Sequence, residues 1–238
     1  MRNYLTIGSV DSRTYGVYIS GQGTFEAPAR DYTLISIPGR NGDLVMDGKR
    51  YSNISVTYPA FIFKNFSQNL ADFRNKLLQN SGYVKLTDSY HTDEYRMALY
   101  RGPFTPDVVR TNDAGSFDIT FECKPQRFLN SGDTTSSVVN GGTVTNPTGM
   151  VALPGITVRS TQGAVNGTLT INSQAITISQ PPFYAIFLDS ERQAAYNGTN
   201  NLNAYVSGEF PVLSAGTNTV TWTGNITSVE IKPRWWRL

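Results

Sequence analysis

The stretch Leu169-Thr-Ile-Asn-Ser-Gln-Ala-Ile-Thr-Ile178 decides how the second half of the chain folds. Apolar and polar side chains alternate on both sides of Asn172-Ser173, which is the pattern of two strands that bury one face and are joined by a tight turn. Similar alternation follows at residues 184–189, 218–222 and 228–232, with Gly- or Asn-containing turns between the runs. No helical spacing occurs there, so the sequence predicts a β-sandwich or barrel.

The first half of the chain contains one stretch with helical spacing, at residues 67–80. Four apolar side chains fall on one helical face there, namely Leu70, Phe73, Leu77 and Leu78. Asn65 or Ser67 is expected to cap the start, and Gly82 stands where a left-handed residue often ends a helix. Strands are predicted around the helix, at residues 4–7, 15–19, 32–37, 53–58, 83–86, 95–100 and 117–123. The first half is therefore predicted to be α+β, mostly strand, with one helix packed on a sheet.

Charge divides the 238 residues unevenly. Residues 1–130 carry 15 basic and 13 acidic side chains, whereas residues 131–238 carry 5 of each. This shift predicts two domains, 1–130 and 131–238, each of ordinary domain size. The Ser-, Thr- and Gly-rich segment 130–149 is interpreted as a linker followed by a first edge strand. With 39% hydrophobic and 16% charged residues, 21 Gly and 12 Pro, the composition excludes a coiled coil, collagen and a disordered chain.

The overall charge and the scarcity of histidine and cysteine argue against several functions. A net charge of +2 is too small for the basic surface that nucleic-acid binding requires, so no sequence-specific nucleic-acid binding is expected. One histidine and one cysteine permit no internal disulfide and make a zinc site very improbable, and neither a metal nor a cofactor is predicted. No apolar run is long enough to span a bilayer, and the start of the chain is too polar for a signal peptide. We therefore expect a soluble protein that is made in the cytoplasm and does not bind membranes.

Few residues are candidates for catalysis. His91 lies between two predicted strands and is interpreted as part of a solvated hairpin tip, because no nucleophile stands near it in sequence. Cys123 shares the apolar face of its predicted strand and is expected to be buried and unreactive. Asp189 and Glu191 form a possible glycosidase carboxylate pair, but roles in a turn or at a strand edge are favoured. The Gly-rich stretch 39–44 lacks the lysine and the following helix of a phosphate loop and predicts a tight loop or a hairpin turn. No enzymatic activity is therefore predicted.

The C-terminal Pro233-Arg-Trp-Trp-Arg-Leu238 contains the candidate site residues Arg234, Trp235, Trp236 and Arg237. Neighbouring residues of a strand point to opposite faces, so only one of the two tryptophans is expected in the local core. The other is expected at a subunit contact or a domain boundary, or as a platform on which a sugar ring stacks. We favour the subunit contact, in which the two arginines pair with a neighbouring copy.

Longer motifs in both halves resemble one protein family. In the first half they are the helix and the two stretches Ile37-Pro-Gly-Arg-Asn-Gly-Asp-Leu44 and Phe121-Glu-Cys-Lys-Pro-Gln-Arg-Phe128. In the second half they are Leu188-Asp-Ser-Glu191, Ala195-Tyr-Asn-Gly198, Gly208-Glu-Phe-Pro-Val-Leu213, Gly216-Thr-Asn218 and Pro233-Arg-Trp-Trp236. In this order they resemble the distal tail proteins of long-tailed, non-contractile phages that infect Gram-positive bacteria, over nearly the whole chain.

The resemblance implies a mainly β fold, in which an N-terminal α+β belt domain, a β-sandwich with one helix, precedes a C-terminal galectin-like β-sandwich. It implies a structural hub at the virion tail tip, where six belt domains form a ring, single or stacked, that lets DNA and the tape-measure protein pass. The implied partners are further copies of the chain, the tail-tube protein, the tail-tip protein and a receptor-binding protein. Closure of such a ring requires head-to-tail contacts.

A galectin-like fold raises the alternative of a carbohydrate-binding module that aids attachment to the host surface. Galectins bind galactosides through His-x-Asn-x-Arg and Trp-x-x-Glu-x-Arg signatures. The second half of the chain has no histidine, and Asn225 stands three residues after Trp222, where the signature has Glu. Galactoside binding is therefore not expected. A wall-degrading hydrolase is the third hypothesis, and clearing of cell walls would distinguish it from the other two.

Overall fold

The computed structural model describes residues 2–21, 26–103, 105–109 and 113–238. The chain divides into two compact units, one running up to Arg127 and including Leu238, the other spanning Phe128–Arg237. This division lies slightly before the predicted boundary after Asn130. The predicted fold class, mainly β with one helix, is confirmed. Whether each part folds independently stays a prediction.

The first unit consists of one main sheet, a separate hairpin and one helix. Its strands are β1 (Leu5–Ile7), β2 (Val10–Asp11), β3 (Val17–Ile19), β4 (Arg30–Ile35), β5 (Leu44–Tyr51), β6 (Ile54–Ile62), β7 (Val84–Asp88), β8 (Glu94–Tyr100), β9 (Asp107–Val109) and β10 (Ala114–Leu129), with a short 3₁₀ turn at Ser12–Tyr15. The main sheet has the order β2-β1-β7-β8-β10-β6-β3, and β9 pairs with β10. The strands β4 and β5 pair only with each other among the described residues.

Helix α1 (Phe66–Leu78) packs one apolar face into the core of the first unit. Phe66, Leu70, Phe73 and Leu77 are buried, whereas Leu78 is 57% exposed, so its predicted place on the buried face is wrong. Of the predicted caps, only the position of Asn65 is confirmed, since it is the N-cap residue. The side chain of Asn65 makes no capping hydrogen bond. The end needs no left-handed glycine, because the amides of residues 79 and 80 bond the carbonyls three residues earlier and tighten the last turn.

The second unit is a sandwich of two sheets. Its strands are β11 (Ser136–Val138), β12 (Gly142–Asn146), β13 (Gly155–Arg159), β14 (Asn166–Ile171), β15 (Gln174–Ser179), β16 (Ala185–Asp189), β17 (Ala194–Asn197), β18 (Asn200–Asn201), β19 (Val206–Gly208), β20 (Gly216–Trp222), β21 (Ser228–Lys232) and β22 (Trp236–Arg237), with 3₁₀ turns at Asn130–Asp133 and Asn203–Tyr205. One sheet has the order β11-β21-β13-β16-β17-β18, and the other has the order β12-β20-β14-β15-β19.

The hairpin predicted from residues 169–178 is confirmed as β14 and β15. Ile171 is paired with Gln174, so Asn172 and Ser173 form a two-residue turn, and Asn172 has the positive φ of 54° that such turns use. The four alternating apolar side chains are fully buried in one core cluster with residues of the other sheet: Leu169, Ile171, Ile176 and Ile178. Burial of one face of each strand is therefore what holds the two sheets together.

The segment 130–149 contains two strands where a linker and one strand were predicted. After a short 3₁₀ turn, β11 joins the edge of one sheet and β12 joins the edge of the other. Val138 and Val144 pack against the core cluster, which supplies the apolar anchor that the Ser- and Thr-rich sequence concealed. The predicted linker is therefore wrong, whereas the predicted edge strand is confirmed.

Candidate interaction surfaces

The hairpin of β4 and β5, residues 30–51, presents apolar side chains on both of its faces. We call it the arm. Directly opposed residues share a face, so Leu34 with Val45 forms one apolar pair and Ile35 with Leu44 forms another on the opposite face. The exposed fractions of arm side chains are large: Tyr32 51%, Leu34 62%, Ile35 38%, Ile37 37%, Leu44 45%, Val45 56% and Met46 56%. An apolar surface of this extent indicates an interaction site.

The arm is held in shape by its turn and by two ion pairs. Gly39 and Gly42 have φ values of 80° and 81°, which residues other than glycine rarely adopt. They lie in the connection 36–43 between the two strands, so the predicted loop or hairpin turn at residues 39–44 is confirmed as a hairpin connection. On the strands, Arg30 pairs with Asp47, and Arg50 Nε lies 2.6 Å from Asp31 Oδ2. The hydrogen bond from Arg30 lowers the pKa of the Asp47 carboxyl below its ordinary value. These contacts are exposed and orient the hairpin more than they stabilise it.

A group of aromatic side chains lies on the outward face of β3 and β6. We call it the aromatic patch, and it consists of Tyr18, Phe61, Phe63 and Arg2. Phe61 and Phe63 stack edge to face with ring centroids 4.8 Å apart, and Tyr18 lies 6.1 Å from Phe61. The guanidinium of Arg2 lies 4.1 Å from the ring centre of Phe63, whose side chain is 50% exposed. Aromatic and arginine side chains are enriched at the centres of protein interfaces.

Arg234, one of the candidate site residues, binds carboxylates of its own unit. Its Nη1 lies 2.7 Å from Asp189 Oδ1 and 3.5 Å from Glu191 Oε2, and its Nη2 lies 3.2 Å from Asp189 Oδ2. Burial raises the pKa of Asp189, but the hydrogen bond and charge of Arg234 outweigh burial, so this pKa is lowered overall. Asp189 also accepts bonds from two backbone amides of the following turn. The two carboxylates therefore have the turn role that the sequence favoured over a glycosidase pair.

The two adjacent tryptophans are placed differently. Trp235 is 5% exposed and belongs to the core cluster of the second unit. Trp236 is partly buried, and its indole Nε1 donates a hydrogen bond to the carbonyl of Val151 at 2.9 Å. Arg237 is exposed. A contact of any of these residues with a partner or a ligand stays a prediction, and Trp236 and Arg237 offer more accessible surface for one.

Two of the residues considered for catalysis, His91 and Cys123, lie in the first unit and have structural roles there. The interpretation of His91 as a solvated tip is wrong, because only 15% of its side chain is exposed. Asp88 draws His91 inward by accepting bonds from its backbone amide and from Nδ1, at 2.8 and 3.1 Å, while also binding the hydroxyl of Tyr58. Cys123 is fully buried, as predicted, and burial raises the pKa of its thiol to about 12. A thiol in this state is a poor nucleophile.

The described part of the chain offers neither a metal site nor a membrane-spanning helix. No group of three or more His, Cys, Asp or Glu side chains within it could hold a metal ion. Its single α-helix is too short and too polar to cross a membrane.

The arm is the feature that the sequence-based prediction missed. A strand was predicted at residues 32–37, but its role as an exposed hairpin was not. A signal was present in the apolar runs Leu34-Ile35 and Leu44-Val-Met46, which interrupt the alternation expected of a strand with one buried face. Adjacent apolar residues place apolar groups on both faces, and within the described residues no core covers either face of the arm.

Comparison with known structures gives extensive matches at low sequence identity. Neither a protein-family model nor a curated protein sequence matches the chain. The crystal structure of SPP1 Dit (gp 19.1), described as a paradigm of the hub adsorption apparatus in phages that infect Gram-positive bacteria, aligns over 100% of both chains with a TM-score of 0.76 and 13% identity. Structures of the phage P2 baseplate in its activated conformation, with Ca and with Sr, give TM-scores of 0.53 and 0.52 at 12% identity, covering 97% to 99% of each chain. The fold implied by the sequence resemblance is therefore confirmed: the chain has the fold of these phage hub and baseplate proteins.

Proposed function

We propose that the chain is a non-enzymatic structural hub of a phage tail tip. In this proposal six copies form a ring that joins the tail tube to tail-tip or baseplate proteins and leaves a passage for DNA and the tape-measure protein. The fold shared with SPP1 Dit over the whole chain supports the proposal. The arm carries it, because a hairpin that exposes apolar side chains on both faces needs a protein partner to cover them.

A closed ring needs two unlike surfaces on each copy, so that the first surface of one copy binds the second surface of the next. The first unit has two such surfaces, the arm and the aromatic patch. The arm supplies aliphatic and methionine side chains, and methionine sulfur packs favourably against aromatic rings. We therefore assign the ring contact to the arm of one copy and the aromatic patch of its neighbour.

Mass photometry over a concentration series tests ring formation. A ring has an expected mass of six times 26.2 kDa, about 157 kDa. Phe63→Ser should prevent assembly of the six-membered ring, because it removes the exposed phenyl group of the aromatic patch. Serine in place of Tyr184, which is 66% exposed in the second unit, is the matched control and should leave the ring intact. A monomer at all concentrations, together with intact tails that lack six-fold density for this protein, would contradict the proposal.

Mixing two defective variants tests the head-to-tail contact itself. A variant with serine at Leu34 and Val45 has a damaged arm and an intact patch. The variant Phe63→Ser has a damaged patch and an intact arm. Neither should form rings alone. Together they should form a dimer of twice 26.2 kDa, about 52 kDa, because only one arm and one patch remain functional. Failure to form this dimer would show that the arm and the patch do not bind each other.

The remaining parts of the proposal concern location and partners. The ring is assembled in the bacterial cytoplasm and remains at the virion tail tip, where it contacts the tail-tube protein, the tail-tip protein and a receptor-binding protein. Immunogold labelling of intact virions tests the location. Labelling at the capsid or along the tube, without labelling at the tip, would contradict it.

A further inference from the structure

A cavity of about 490 Å³ in the second unit lies between two strand edges. It is lined by residues of β11 and β12, which are the terminal strands of the two opposing sheets. A short connection at residues 139–141 carries the chain from one sheet to the other, with Gly141 in the left-handed region at a φ of 83°. The volume of the cavity lies within the usual range for ligand sites, roughly 300–1,000 Å³.

The edge of β12 lacks the features that normally prevent strand pairing. Exposed edges are usually protected by proline, by charged side chains or by very short strands. In the described part of the chain β12 pairs only with β20, and its five residues, Gly142–Asn146, include neither proline nor a charge. At the far ends of the two sheets, by contrast, β18 has two residues and β19 has three. The strand β12 beside the cavity is therefore longer than the edge strands at the far ends of the sheets, and it lacks their protection by short length.

The lining of the cavity is uncharged and carries many hydroxyl groups. Ser136 and Ser137 of β11 contribute hydroxyls from one side, and Thr143 and Thr145 of β12 contribute them from the other. Trp235 forms part of the wall, but its 5% exposure leaves no open indole face for a sugar ring. Since no lining residue is charged, a neutral occupant is favoured over an ionic one.

We propose that this cavity binds an extended, uncharged segment of a partner polypeptide, which adds as a further strand to the edge of β12. Such a segment satisfies the unpaired backbone groups of the edge, and its alternate side chains enter the hydroxyl-lined space. The length of β12 accommodates about five residues of the segment, roughly 17 Å of extended chain. The inference uses only the second unit and does not depend on ring formation by the arm.

Hydrogen exchange of the full chain, measured with a synthetic probe, tests the proposal. The probe is an acetylated and amidated peptide of alternating threonine and valine. It should slow exchange of the amides of Thr143 and Thr145, which point away from β20 toward the free edge, and should leave the amides of β18 and β19 unchanged. The same peptide with a methyl group on every backbone nitrogen cannot donate hydrogen bonds from either edge, so it should give no protection.

Two lysine substitutions, one on the edge strand β12 and one on its neighbour β20, provide the matched variants. Thr143 and Thr219 are directly paired and both exposed, but only Thr143 lines the cavity. Thr143→Lys should weaken binding of the peptide by about tenfold or more, because an edge lysine opposes strand addition. Thr219→Lys should change binding by less than about twofold, as expected of a surface substitution away from the site.

Three results would overturn the proposal. The first is absence of protection at millimolar peptide, and the second is equal protection by the methylated peptide, which requires no strand pairing. The third is protection of the same amides by oligosaccharides of the bacterial wall but not by the peptide, which would make the cavity a sugar site. If Thr143→Lys fails to fold, the comparison of the two peptides on the unmodified chain still decides the question.

Discussion

Replacing Leu34 and Val45 of the arm with serine tests whether the arm holds copies of the chain together. The two residues face each other on one side of the arm and are 62% and 56% exposed. Complete burial of a leucine or valine side chain contributes about 1.5–3 kcal/mol. Covering these exposed fractions in the ring therefore contributes about 1–2 kcal/mol for each residue, or about 2–4 kcal/mol for each contact between copies.

Loss of this free energy should raise the dissociation constant of each contact by roughly 30- to 1,000-fold. Mass photometry should then show monomers at concentrations where the unmodified chain forms rings. Leu78→Ser is the matched control, because this helix residue is 57% exposed and lies outside the arm and the patch. Neither variant removes a buried side chain, so the melting curves of the dilute monomers should nearly coincide with that of the unmodified chain. Rings of the double variant at unchanged concentrations would refute the reasoning.

Four further predictions concern the second unit and the buried thiol. Tryptophan fluorescence reports on the second unit alone, because all three tryptophans lie there. Arg234→Ala should lower the free energy of unfolding of this unit by about 3 kcal/mol, because it removes the closest cationic partner of the buried Asp189. Since the pKa of Asp189 is lower in the folded than in the unfolded state, its contribution should be complete above about pH 4 and be lost as the pH falls through the folded value, and Asp189→Asn should remove this dependence. The Cys123 thiol should react with a disulfide reagent near neutral pH only after unfolding, and rapid reaction of the native protein would contradict its burial. Galactose and lactose at millimolar concentration should leave the tryptophan fluorescence unchanged, whereas a saturable change would favour the carbohydrate-binding alternative.

The parts of the fold that could be predicted are those whose burial follows a local period. The alternating residues of β14 and β15 and the buried face of α1 are recognisable in the sequence because each element buries one side against a single core. The end of the helix was harder to predict from the sequence, because its last turn is closed by backbone hydrogen bonds that no particular residue type specifies.

Features that depend on specific side-chain contacts, or on whether a face meets a core or a partner, were not predictable in the same way. The ion pair of Asp189 and Arg234 joins positions 45 residues apart, and its geometry depends on the register of two strands in the folded sheet. His91 is drawn inward by Asp88, a contact within the same turn that charge and hydropathy alone do not reveal. The arm was only partly predictable from the sequence. Its apolar runs indicate two apolar faces but do not determine whether the core or a partner protein covers them.

Electron cryomicroscopy of tails that carry this protein tests the central claim most directly. The account predicts a ring of six copies at the tail tip, with the arm of each copy covering Phe63 of the next. A tip that lacks six-fold density for this protein, or a ring in which the arms lie exposed to solvent, would contradict it.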